Sequence, residues 1–430
     1  MGSKTLTTTL FRTYDVFRKG RVRRYHDEAR ACNESLVPDT GSLSGYMERW
    51  GFDKQLERNP LMDKATLKVW INNADHRAVK TWAYTGGSYG EPLRIPYSEK
   101  RALIRTASIL YFNELGGYAL GDPYALIRAK DKARFVKFLR NEMIIVPYDT
   151  SPGRIRDMIR KLAKRRTLLL MGYPSVIYDM AIVLLDTPSL LRDLRIRNII
   201  TVSEPLESFK RQIIRDSFQC PLTDRYSNEE VGIIAQQKYP GEEYHVNRYG
   251  LFVEVVDPVT LQPVPEGFQG KVLVTDINND LVPMIRYDTG DLATASRYSN
   301  GRPISISHVS GRVTEVITNP EGRPVSPLTI GPCIYKPLAK ENKLVPYQFV
   351  QRGPAGYEVR LKAERSEISE SLSETILKGL KELLGPGAEV SINIVADIAC
   401  QPSGKRPVFK NEVSGASSGF EMQHKIYKQD

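Results

Sequence analysis

Five short stretches of this chain carry residue types suited to phosphate and carboxylate chemistry. Thr85-Gly86-Gly87-Ser88-Tyr89-Gly90-Glu91-Pro92 follows Thr81–Tyr84, which reads as the end of a strand. Its glycines let the backbone curl so that successive N–H groups point at phosphate oxygens, and Thr85 and Ser88 add hydroxyls. No Gly-Lys-Ser/Thr ends it, so it is not a Walker loop, and a plain glycine-rich turn is an equal reading. Asp224-Arg225-Tyr226-Ser227-Asn228-Glu229-Glu230 follows an expected strand, at the sheet edge where open α/β folds bind ligands. A carboxylate there can hold Mg²⁺, or it can simply be solvated. In Arg286-Tyr287-Asp288-Thr289-Gly290-Asp291 the last carboxylate, behind a glycine turn, can accept from both hydroxyls of a ribose, or the stretch can be an Asx turn. Gly311-Arg312 places a guanidinium fork, suited to phosphate or ribose oxygens, at a change of chain character; a linker arginine would look the same. In Pro402-Ser403-Gly404-Lys405-Arg406 a lysine behind a glycine can reach a carboxylate and a phosphate together, although most such lysines face water.

The elements that must position these stretches follow from periodicity. Ser98 caps an expected helix carrying Leu103, Ile104, Ala107 and Tyr111. Ile144–Val146, Thr167–Met171, Asn198–Val202 and Pro221–Asp224 read as strands. Helices opened by Ser151-Pro152 and Pro174, and one with Phe209, Ile213, Ile214 and Phe218 on a face, separate them. The alternation predicts βαβ units. Residues 245–309 read instead as antiparallel β structure, with strands at Leu251–Val256, Gly270–Thr275 and Ile304–Ser307. Beyond Gly311 a strand at Tyr357–Ala363, a helix carrying Leu372, Ile376, Leu377, Leu380 and Leu384, and a strand at Glu389–Val395 predict a small α+β domain. The domain reading is therefore 1–310, with the β subdomain at about 245–309, then 311–412 and a loose tail at 413–430.

Bulk composition sets the outer limits. The chain has 430 residues, 41% of them hydrophobic and 26% charged, enough for two or three cores. No eighteen-residue apolar run predicts a membrane span, and the start shows no leader pattern. Cys32, Cys220, Cys333 and Cys400 are scattered, which points to a reducing cytoplasm. The formal charge of +11 includes basic clusters at Arg18–Arg24 and Arg160–Arg166. These fit attraction of an anionic substrate or plain solvated helix faces, and no nucleic-acid motif accompanies them.

In this order and spacing the five stretches resemble the adenylate-forming enzymes, the superfamily of acyl-coenzyme A synthetases, carrier-protein adenylation domains and luciferases. The sequence TGGSYGEP, together with GGYALGDPYALIR (116–128), PYDTSP (147–152) and MGYPS (171–175), is most similar to the phenylacetate–coenzyme A ligase branch and its capsular polysaccharide-cluster homologues. The resemblance spans residues 80 to 412.

The resemblance implies an α/β fold: a large N-terminal adenylate-forming domain, made of a βαβ core and an antiparallel β subdomain, with a small mobile C-terminal α+β lid. It implies ATP, Mg²⁺ and a small carboxylic acid as reactants, with an aromatic or apolar acid favoured and coenzyme A as the thiol. A carrier-protein thiol and a homodimer also fit. Thr85, Gly86, Gly87, Ser88 and Gly90 would hold the phosphates. Ser203, Glu204 and Pro205 would lie along adenine, and Tyr226 would stack on it. Glu230, not Glu229, would bind Mg²⁺. Asp291 would bind the ribose, Arg312 would sit beside the nucleotide, and Lys405 would be catalytic. The acyl pocket would lie between Gly172-Tyr173 and the 226–232 loop that includes Gly232, and Thr314 would be the hinge. Tyr89, Ser227 and Thr314 depart from the family pattern, and the stretch 236–245 lacks the cysteines of zinc-bearing relatives. Transfer to an amine or carrier protein, and a nucleotide-binding relative without catalysis, are the competing readings.

Overall fold

Residues 4–34, 40–84, 93–128, 131–147, 149–238, 241, 243–310, 317–325, 327–341, 343, 345–399 and 408–413 are described by a computed structural model. Four helices come first: α1 (Lys4–Phe17), α2 (Arg21–Glu34), α3 (Thr40–Arg49) and α4 (Lys64–Asn72). Strands β1 (Thr81–Tyr84) and β2 (Arg94–Tyr97) pair antiparallel, Thr81 opposite Tyr97 and Tyr84 opposite Arg94. The stretch 85–92 joins these two strands and lies outside the described residues, as do Arg312, Thr314 and Lys405.

The predicted alternation follows. Helix α5 (Glu99–Leu115) is capped by Ser98, whose hydroxyl accepts from Arg101 N. After it come β3 (Tyr124–Ile127), α6 (Arg134–Leu139), β4 (Glu142–Ile145), α7 (Pro152–Arg165), β5 (Leu169–Gly172), α8 (Pro174–Asp186), β6 (Asn198–Val202), α9 (Ser208–Phe218) and β7 (Leu222–Asn228). Helix α7 shows why the reading works: Pro152 starts it, Ile155, Ile159 and Leu162 bury one face, and Arg166 ends it in the left-handed region.

Strands β4, β3, β5, β6 and β7 are parallel neighbours in that order. The sheet continues, antiparallel, through β8 (Gly232–Gln237), β9 (Tyr244–Val246), β13 (Arg302–Ser310), β12 (Tyr287–Ser299), β11 (Gln269–Asp276) and β10 (Leu251–Val256). One eleven-stranded sheet therefore carries both halves, and antiparallel pairing starts ahead of residue 245. The Tyr287–Asp291 stretch, expected as a turn, lies inside β12. There three residues, Thr289 to Asp291, face only Val272 of β11, between the pairs Leu273–Asp288 and Lys271–Leu292. Gly290 takes φ +77°, so the glycine makes a bulge rather than a chain reversal.

The C-terminal stretch holds β14 (Ile317–Thr318), β15 (Pro324–Val325), α10 (Pro327–Lys340), β16 (Tyr347–Gln351), β17 (Gly356–Lys362), α11 (Glu370–Leu384), β18 (Glu389–Val395) and β19 (Phe409–Asn411). Its four-stranded sheet runs β18-β17-β16-β19. Leu372, Ile376, Leu380 and Leu384 form the buried stripe of α11. Helix α8 is buried on nearly every side, because the parallel sheet and the C-terminal elements share one apolar cluster around it. At that junction the Phe209 ring stacks on Tyr335 at 4.2 Å between centroids and packs against Tyr347 at 5.7 Å. The Lys362 ammonium donates to the Thr150 carbonyl and hydroxyl at 3.1 and 3.0 Å. Among the described residues no helix is long and apolar enough to cross a membrane.

Candidate active site

Strand order sets the site. The pairs Gly172–Thr201 and Val202–Arg225 put the carboxyl ends of β5 and β6 beside the middle of β7. The next residues, Tyr173, Ser203 and Tyr226, therefore stand along one edge, where open α/β sheets bind ligands.

Three of the residues picked from sequence meet here. The Tyr226 hydroxyl donates to Asp291 Oδ2 at 2.7 Å and reaches Thr289 Oγ1 at 3.2 Å. Thr289 Oγ1 in turn donates to the Val272 carbonyl at 2.9 Å and accepts from Asp291 N at 3.2 Å. The Tyr287 hydroxyl donates to Glu230 Oε1 at 3.2 Å. Two residues of one bulged strand thus address the strand-β7 tyrosine and the following acidic turn. The bulge is held from below. Gly290 N donates to Asp288 Oδ1 at 2.9 Å, the Lys271 ammonium pairs with Asp288 Oδ2 at 2.9 Å, and Asp288 N donates to the Met62 carbonyl at 2.9 Å.

Glu229 and Glu230 differ sharply. Glu229 is exposed and pairs with Arg105 at 3.1 Å. Glu230 is 3% exposed, and among the described residues its carboxylate receives a hydrogen bond from the neutral Tyr287 phenol and has no ion pair. A buried carboxylate without a cation is costly, so its surroundings fit a bound cation. Among the described residues no three acidic, His or Cys side chains cluster to hold a metal alone. One carboxylate plus substrate phosphates is the usual donor set for Mg²⁺.

Asp224, the other acidic residue of the stretch, does different work. It is buried, accepts from the Thr201 and Tyr244 hydroxyls, and burial pushes its pKa up. It braces β6 against β7 and β9. Burial likewise lowers the Arg225 guanidinium to about 10, where it is held by Gln236 at 2.6 Å and Asn113 at 2.7 Å.

The second group lies beside the first. Ser203 takes φ +72°, a left-handed conformation unusual for serine, which costs about 1–3 kcal/mol and marks sites where the chain must present a particular edge. The Glu204 carboxylate accepts from Ser175 N at 3.1 Å, at the start of α8, and so ties the 203–205 loop to the Gly172-Tyr173 turn. Ser203 and Pro205 are exposed, whereas Gly172, Tyr173 and Gly232 are buried. A Cβ at Gly172 would come within 2.4 Å of Ile127 Cβ, so no side chain fits there. Gly232 takes φ +91° with open space at its Cβ position. Gly172 and Gly232 sit on β5 and β8, with β6 and β7 between them. Sequence reasoning passed over Tyr287, Thr289, Tyr97 and Arg101. The first two lie within a stretch already singled out, and the others show no local signal.

Ser175 also lines a small cavity at the junction, shared with Asp179, Lys210, Tyr347, Ile398 and Val408. Ile398 and Val408, which line it, lie on either side in sequence of the stretch 400–407 that carries Lys405, and that stretch is outside the described residues.

This architecture is the fold of the adenylate-forming enzymes. The chain is 16% identical to 2-hydroxyisobutyryl-CoA ligase in the postadenylation state with 2-HIB-AMP, with a TM-score of 0.63 over 95% of this chain and 91% of that one. The same ligase in its thioesterification state, with 2-HIB-AMP and CoA, gives 0.52. Among curated proteins, Protein CapK of Staphylococcus aureus is 24% identical over 345 residues, 76% of this chain and 74% of that protein. Phenylacetate-coenzyme A ligase of Thermus thermophilus is 24% identical over 234 residues, 50% of this chain and 52% of that enzyme. No family model matches the sequence. The resemblance read from the motifs and the predicted fold class are both borne out.

Proposed function

We propose that this chain is an ATP-dependent, AMP-forming acid–thiol ligase. The observation that carries the reading is that Tyr226 and Glu230, from β7 and the turn after it, are hydrogen-bonded to Asp291 and Tyr287 of the one bulged strand β12. In the proposed reaction an acid carboxylate attacks the α-phosphorus of ATP and pyrophosphate leaves. A thiolate then attacks the acyl carbonyl and AMP leaves. Two anions meet in the first step, so positive charge and aligned donors must lower its barrier.

Asp291 would receive the ribose hydroxyls, and Tyr226 would face adenine beside the exposed Ser203-Glu204-Pro205 loop. Glu230 would hold Mg²⁺, which supplies charge neutralisation on the phosphates. The 85–92 stretch joins β1 to β2, and at the other end of that hairpin the Tyr97 hydroxyl donates to the Glu229 carbonyl at 3.3 Å. The glycines and hydroxyls of its sequence support Thr85, Gly86, Gly87, Ser88 and Gly90 as the phosphate loop. Lys405 would serve the first step, and Ile398 and Val408, on either side of it in the chain, line a cavity with Ser175, which supports that role. Arg312 would sit beside the nucleotide and Thr314 at the hinge. The acyl group would lie by Gly172, Tyr173 and Gly232, with an aromatic or apolar acid and coenzyme A as the favoured partners; the name of the phenylacetate-coenzyme A ligase supports the acid, and that of the 2-hydroxyisobutyryl-CoA ligase supports coenzyme A alone.

A panel of carboxylic acids with ATP and Mg²⁺, read by pyrophosphate release, tests the proposal. Positive acids are then given coenzyme A, and thioester is sought by mass. Silence across the panel would end the adenylation reading. Pyrophosphate without thioester would move the acceptor to a carrier protein or an amine.

A further inference from the structure

Strand β2 and the acidic turn are separate in sequence, yet one side chain holds both. Arg101, in the first turn of α5, is 2% exposed. Its NH1 donates to the Pro96 carbonyl in β2 at 3.2 Å. Its NH2 donates to the Glu230 carbonyl at 2.7 Å and to Asp276 Oδ2 at 2.8 Å. The guanidinium lies 4.2 Å from the centroid of the Tyr97 ring. Asp276 is also buried, so the pair is fixed from both sides. The Tyr97 hydroxyl accepts from Arg105 at 2.7 Å and donates to the Glu229 carbonyl at 3.3 Å. Arg105 closes the circuit on the Glu229 carboxylate.

We infer that Arg101, assisted by Tyr97, is a positioning residue that fixes the backbone of the acidic turn against β2, and so sets where the Glu230 carboxylate would hold Mg²⁺. The inference rests on the nucleotide-site reading above. Three features make it specific. The donor fork spans two backbone carbonyls that belong to β2 and to the acidic turn. A planar guanidinium serves them and Asp276 simultaneously, which a lysine cannot do. Backbone anchoring acts on Glu230 directly, whereas a role in packing alone would not require the carbonyl of that particular residue.

The test measures binding of the fluorescent nucleotide mant-ATP at a series of Mg²⁺ concentrations, with the full chain. Wild type binds, and Mg²⁺ strengthens binding. Arg101→Lys raises the Mg²⁺ concentration for half-maximal strengthening about tenfold, the scale on which supports of metal ligands act. Binding without Mg²⁺ stays within about twofold of wild type, because the donor fork touches no nucleotide group directly. Tyr97→Phe, which keeps the ring, shifts the midpoint in the same direction by about threefold and decides the matter if Arg101→Lys does not fold. Folded variants with the wild-type Mg²⁺ midpoint overturn the positioning role while leaving the nucleotide site standing. Wild type that binds no mant-ATP at any Mg²⁺ concentration overturns the nucleotide site and this inference with it.

Discussion

The phenol of Tyr226 and the carboxylate of Asp291 share a 2.7 Å hydrogen bond, and each holds the other's orientation. Asp291 sits on a bulge, where extra residues aim a side chain that a regular strand would turn away. If Asp291 takes the ribose hydroxyls, Asp291→Ala removes charge-assisted hydrogen bonds worth about 1.5–3 kcal/mol, or about ten- to a hundredfold in ATP affinity. Tyr226→Phe keeps the ring and loses only an orienting contact, so its effect is smaller, about fivefold or less. Calorimetric titration with ATP distinguishes the two. Unchanged affinity in Asp291→Ala would remove this residue from the ribose role.

Glu230 makes a prediction of opposite sign for stability and activity. The buried carboxylate has no cationic partner among the described residues, so Glu230→Gln relieves a desolvated charge while keeping an acceptor for Tyr287. The melting temperature in Mg²⁺-free buffer should hold or rise, and pyrophosphate release should fall about 10²–10³-fold. A large fall in melting temperature with activity retained would make Glu230 a structural residue.

Much of this site was legible before the structure, and the residues show where legibility stops. Asn198–Val202 and Leu251–Val256 were read as strands with the bounds they have, because β-branched and apolar runs between turn residues leave little choice. Strand β12 was hidden by its own composition: Asp288, Gly290 and Asp291 are poor strand formers, and only pairing with β11 reveals a bulge. Helix α10 was hidden by Pro332 and Pro337, which read as breakers but sit inside it. Arg101 looked like any helix charge. Its partner Asp276 is 175 residues away, a distance over which periodicity carries no signal.

His26 should tie the stability of the N-terminal helices to pH. Its ring hydrogen-bonds the Glu114 carboxylate at 3.0 Å, joining α2 to α5, and that bond raises its pKa above 6.5 despite partial burial. A histidine whose folded pKa is raised stabilises fully below its unfolded value and loses that contribution as pH rises through the folded value. Wild type should therefore lose melting temperature relative to His26→Gln as pH is raised from below 6.5 to well above it. Parallel pH curves for the two proteins would show that the pair contributes nothing through protonation.

The stack between Phe209 and Tyr335 bears on the order of the two chemical steps. Phe209 meets Tyr335 and Tyr347 from the C-terminal elements and Tyr178 from α8, so one ring joins the two parts at their junction. Phe209→Leu keeps an apolar side chain but loses the stacking, worth about 0.5–1.5 kcal/mol per aromatic pair. If this junction is the arrangement that performs the first step, its loss lowers the docked population and slows pyrophosphate release about three- to tenfold. Thioester formation from acyl-adenylate supplied directly should not slow, because that step is proposed to use a different placement of the C-terminal elements. General damage to the protein would slow both steps equally, and equal slowing would show that the stack holds the fold together without favouring either half-reaction.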